Sequence, residues 1–137
     1  MANNSNSALP AIVLVHGGFV DGSGWSKVYQ GLRKDGYNVI AVLSPERALE
    51  QFRNSEFPTP IDLILTDHLM PGMNGNQFIA SLREFAPHVP VLVISGLPEA
   101  EDDYQGLNIH FRLKPLAPAL LLECVRDLLE SSSPLLS

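Results

Sequence analysis

Three polar side chains close apolar runs of the chain: Asp67 follows the run 61–66, Ser95 follows 89–94, and Lys114 follows 108–113. A carboxylate and an ammonium brought together at such ends form a partly buried ion pair, which keeps the carboxylate ionised. A second group follows the first apolar run, where His16, Gly17 and Gly18 precede Asp21, Gly22 and Gly24. Glycines leave backbone N–H groups open to a negative charge, so His16, Gly17 and Gly18 are candidates for weak anion binding. A helix expected to begin near residues 23–25 points its positive end the same way. His16 with Asp67 gives too few ligands for a zinc site. His68, His88 and His110 show no ligand spacing and are read as surface residues. Cys124, near an apolar helical stripe, is read as a small buried hydrophobe, and Met70 and Met73 as loop packing around Pro71-Gly72.

These residues need elements to hold them. Five apolar runs, 11–16, 38–43, 61–66, 89–94 and 108–113, predict strands, and the middle three are continuous rather than alternating, the habit of parallel sheets covered on both faces. Helical spacing predicts helices over 25–35 (Trp25, Val28, Tyr29, Leu32), 45–54, 77–85 and 118–129. Ser44 reads as an N-cap with Pro45 at the first helical position, and Gly36 as a stop. In the crossover 96–107, Pro98 and the acidic run 99–103 leave room for about two helical turns at most. The alternation implies one α/β domain, a three-layer doubly wound sheet of five parallel strands in the order 2-1-3-4-5, with Val13 and Val15 buried beside Ile64. The polar ends, 1–8 and 131–137, read as frayed tails.

The 137 residues are 45% hydrophobic and 18% charged, enough for one core without disulfides, which the single cysteine excludes. Nine basic residues against fifteen acidic ones give a net charge of −6 with no basic cluster, so no nucleic-acid partner is expected. No run is long enough for a membrane span, and a cytoplasmic setting is the expectation.

From about residue 38 to 130 the sequence resembles a response-regulator receiver domain of the flavodoxin-like kind. The strand Ile61-Asp62-Leu63-Ile64-Leu65-Thr66 running into Asp67, and the turn His68-Leu69-Met70-Pro71-Gly72-Met73-Asn74-Gly75, look like the phosphoacceptor strand and its loop. Ser95-Gly96 stands where the family keeps its switch hydroxyl, Phe111 at its aromatic switch position, and Lys114-Pro115 at its lysine and cis-proline. The resemblance implies phosphoryl transfer from a histidine kinase onto Asp67, with a divalent cation neutralising charge and Lys114 on the phosphoryl oxygens. It also implies an acidic pair after the first strand, where this chain has His16-Gly17. The ligands left for magnesium, Asp67, the Leu69 backbone carbonyl and a distant Asp21, are too few for a strong site, so magnesium-dependent phosphorylation is expected to be absent or severely weakened.

The first forty residues resemble something else. Residues 9–19, Leu-Pro-Ala-Ile-Val-Leu-Val-His-Gly-Gly-Phe, followed by Gly24-Trp25, are similar to the strand, oxyanion loop and first helix of an α/β-hydrolase. No Gly-x-Ser-x-Gly elbow occurs, Ser95 lacks the preceding glycine, and acyl transfer by a triad is not expected. The two resemblances together predict an engineered chimera, a hydrolase-like unit over 1–40 joined to a receiver-like 41–130, serving as a fold scaffold without evolved activity or cofactor. A phosphoaccepting receiver domain and a hydrolase remnant are the alternatives.

Overall fold

The computed structural model describes residues 9–15, 22–70 and 72–131. In chain order come β1 (Ala11–Val15), α1 (Gly22–Lys34), β2 (Asn38–Val42), α2 (Pro45–Arg53), β3 (Leu63–Asp67), α3 (Gly75–Leu82), β4 (Val91–Ser95), a 3-10 helix (Pro98–Tyr104), β5 (His110–Leu113) and α4 (Pro118–Ser131). The strands form one parallel sheet in the order β2-β1-β3-β4-β5, the doubly wound order read from the sequence. β1 lies in the interior, Val13 opposite Ile40 on one side and Ile64 on the other, and Val13 and Val15 are wholly buried. β1, β3 and β4 are buried along their whole length, which is why their sequences run apolar without alternation.

Successive side chains of a strand point to opposite faces, so each central strand feeds two cores. Ile12, Leu14, Leu63, Leu65, Leu92 and Ile94 pack against Val28 and Leu32 of α1 and Leu121 and Val125 of α4. Val13, Val15, Ile64, Val91 and Val93 pack against Ala48 and Leu49 of α2, Phe78, Ile79 and Leu82 of α3, and Tyr104. The fourth crossover is the short element expected from Pro98 and the acidic run, and of its seven residues only Ala100 and Tyr104 are buried.

Element ends follow local hydrogen bonds. The Ser44 side chain accepts from Arg47 N at 3.0 Å, with Pro45 at the first position of α2, as read from the sequence. Gly36 closes α1 at φ 96°, a left-handed conformation in which a side chain is disfavoured. α3 starts at Gly75, earlier than the expected 77, because the Gln77 side chain accepts from Asn74 N at 2.9 Å and fixes the first turn two residues upstream. β3 begins at Leu63 rather than 61, since Asp62 turns its Oδ2 to Ala11 N at 2.8 Å, and β5 begins at His110 rather than 108, since Asn108 takes φ 57°. Arg83, just past α3, donates to the carbonyls of Ala86, Val89, Leu107 and Asn108 at 2.7–3.0 Å, tying the turns that feed β4 and β5 to the end of α3. Among the described residues no helix is long and apolar enough to cross a membrane. The expected tail at 1–8 and residues 132–137 lie outside the described residues.

Candidate functional site

β3 delivers Asp67 to the carboxyl end of the sheet, with a strand on each side of it. Its side chain is only 10% exposed and meets the Lys114 ammonium, Nζ to Oδ1 at 2.9 Å, while the Lys114 side chain is itself 48% exposed. Lys114 is held at the end of β5, its N–H donating to the Ser95 carbonyl at 2.8 Å, before a cis peptide bond to Pro115. The ion pair read from the sequence is therefore formed. Oδ1 is fully buried and receives this charge without an aligned hydrogen bond. Oδ2 accepts a hydrogen bond from Trp25 Nε1 of α1 at 2.9 Å. Helical spacing assigns Trp25 to the core alone, and its ring does pack on the α1/α4 core. The available signal was chemical: a buried indole N–H needs an acceptor.

Ser95, 2% exposed, closes β4 beside Asp67, but its hydroxyl accepts from Leu97 N at 2.9 Å and donates to the Leu97 carbonyl at 3.2 Å. Phe111 is partly buried on β5, its ring 6.2 Å from that of Tyr104.

His68 corrects the surface reading: it is 4% exposed. Its N–H continues the ladder to the Ile94 carbonyl at 3.0 Å, and Nδ1 shares a 2.7 Å hydrogen bond with the Tyr104 hydroxyl beneath the 3-10 helix. A polar ring is tolerated there because this bond satisfies it. Burial pushes the Tyr104 phenol far above the ordinary tyrosine range, with Asp103 adding to the effect, so it stays a neutral hydroxyl. Gly75 lets α3 start against this pair: a Cβ there would run into the Tyr104 hydroxyl and come within 3.0 Å of the Asp67 carbonyl. Met70 is buried, as loop packing requires, and Cys124 is only partly buried.

The divalent cation implied by the receiver resemblance does not fit the described donors. No three of His, Cys, Asp and Glu gather among the described residues. Asp67, the carboxylate at the site, has both oxygens engaged by Lys114 and Trp25, and a magnesium ion prefers several hard oxygen ligands. Leu69, the expected carbonyl donor, follows β3 and is 60% exposed. His16, Gly17, Gly18 and Asp21, and with them the anion-binding expectation, lie outside the described residues.

The response regulator receiver domain family matches residues 25–126. The hydrogenase transcriptional regulatory protein HoxA of Cupriavidus necator is 37% identical over 99 residues, covering 69% of this chain and 20% of that protein. The putative two-component response regulator ARR13 of Arabidopsis thaliana is 36% identical over 95 residues, 69% of this chain and 16% of that protein. The chain thus spans well under two thirds of these relatives. A CheY-like receiver domain protein from Methanospirillum hungatei superposes with a TM-score of 0.78 over 90% of this chain and 96% of that one at 21% identity, a likeness of fold. These matches overturn the engineered-chimera reading. The family match begins at residue 25, inside the segment read as hydrolase-like, and runs unbroken to 126. Trp25 from that segment bonds Asp67 itself.

Proposed function

Since the chain belongs to the response regulator receiver domain family, we propose that it is the receiver module of a two-component signalling system and accepts a phosphoryl group on Asp67 from a phosphohistidine of a histidine kinase in the cytoplasm. In the transfer an Asp67 oxygen attacks phosphorus, the P–N bond to the donor imidazole breaks, and the released imidazole takes up a proton. The observation that carries this reading is the Asp67–Lys114 pair, a nearly buried carboxylate on a central strand whose counter-charge sits on a half-exposed, movable side chain. Lys114 can follow the phosphoryl oxygens once the carboxylate charge is spent. Ser95 would then exchange its two bonds with Leu97 for a phosphoryl oxygen, and Phe111, beside Tyr104, would respond to that shift. Acyl-transfer chemistry has no part in this function.

Incubating the full chain with acetyl phosphate, followed by intact mass and peptide mapping, tests it. One phosphoryl adduct on Asp67, lost in Asp67→Asn, is expected. Absence of adduct from the wild-type chain, or an adduct that persists in Asp67→Asn, would overturn the reading.

A further inference from the structure

A carboxylate that attacks phosphorus needs its charge compensated, one oxygen held in place, and the other left with a lone pair to form the new bond. In this chain the first two needs are met by side chains. Lys114 supplies one positive charge against the one negative charge of Asp67. Trp25 supplies a directed, neutral donor to Oδ2 at 2.9 Å, while Oδ1 receives no aligned hydrogen bond. A magnesium ion on Oδ2 would have to displace the indole N–H and stand beside the Lys114 ammonium, and the described residues hold no cluster of acidic ligands to repay its dehydration.

We propose, resting on the reading of Asp67 as phosphoacceptor, that Trp25 is a positioning residue whose indole N–H fixes Oδ2 and, with Lys114, readies the carboxylate without a divalent cation, leaving Oδ1 as the attacking oxygen once the half-exposed Lys114 side chain swings aside to uncover it. The bond that forms is Oδ1–P, the bond that breaks is from phosphorus to the donor's leaving group, and the Oδ2–indole bond persists throughout. Packing of the Trp25 ring on the α1/α4 core anchors the donor, so the N–H is aimed by the same contacts that seat the helix. Phenylalanine at 25 keeps that packing and deletes the donor.

Trp25 is the chain's single tryptophan, so an amide-correlation NMR spectrum of the 15N-labelled full chain holds one indole N–H signal. It is expected to move upfield in Asp67→Ala and to stay fixed when a large excess of magnesium chloride is added to the wild type. With acetyl phosphate, Trp25→Phe is expected to form adduct about tenfold more slowly, the weight of one hydrogen bond to a charged group. Wild-type rates should be equal in magnesium and in EDTA. A saturable magnesium shift of the indole signal, an indole signal indifferent to Asp67→Ala, an adduct that needs magnesium, or an unchanged rate in Trp25→Phe each overturns the proposal. The magnesium titration and the Trp25→Phe rate need no Asp67 variant, so they decide even if Asp67→Ala fails to fold. If the wild type forms no adduct at all, the phosphoacceptor reading and the attacking role of Oδ1 fall together. The indole signal alone then decides whether Trp25 holds the carboxylate in the cation's stead.

Discussion

Tyr104 and His110 show how differently a polar ring is treated a few residues apart. The Tyr104 hydroxyl satisfies buried His68, so Tyr104→Phe leaves a ring nitrogen without its partner in the interior. A loss of about 2 kcal/mol is expected, read as a lower midpoint in urea at unchanged slope. His110, on the outermost strand, is held below the ordinary histidine range, first by burial and then by the charge of Arg112. The unfolded chain therefore takes up this proton at a higher pH than the folded one. His110 thus contributes its stability in full above the ordinary histidine pKa and loses it as pH falls below that value. Arg112→Gln is expected to raise the His110 midpoint in a proton NMR titration, and an unmoved midpoint would assign the depression to burial alone.

At the scale of elements, the guanidinium of Arg83 acts as a staple. Four backbone carbonyls from two turns accept from it, and burial pushes its pKa down from the usual arginine value. Arg83→Met keeps the aliphatic stem and leaves those carbonyls without their charged donor, with an expected cost of about 3 kcal/mol by urea unfolding. None of this is visible in the sequence, because the staple's partners are main-chain atoms whose placement depends on turns at 86–89 and 107–108. The strands themselves were legible, since a continuous apolar run of five or six residues has few other uses. Their ends were displaced by side chains that bond backbone, as Asp62 does at the start of β3. The same division holds at the site. Asp67, Ser95 and Lys114 were legible through the receiver-domain resemblance of the strand ends they close, whereas Trp25 reaches an acceptor 42 residues away and its helical spacing reveals only the packed side of its ring. His68 was misread because polarity suggests the surface, and its satisfying hydroxyl lies 36 residues downstream.

For the molecule as a whole, the two cores share one sheet, so neither face can come apart without exposing the other side of the same strands. Leu32→Ala on the α1 face and Ile79→Ala on the α3 face are each expected to cost about 3 kcal/mol and to shift a single common transition. Two separated transitions, by circular dichroism and Trp25 fluorescence, would show that the faces unfold independently. The layers are nevertheless unequal. Where the other crossovers lay a full helix on the sheet, the fourth lays seven residues anchored by Ala100 and Tyr104. Free energy of local opening scales with the apolar surface an element buries, so this lid has the shallowest well among the crossovers. Amide protons at 98–107 should trade with deuterated solvent through a sub-global fluctuation long before those of β3 or β4 do. Each such excursion lifts Tyr104 off His68 and away from Phe111, which gives the domain a standing minor population with its β4–β5 end ajar.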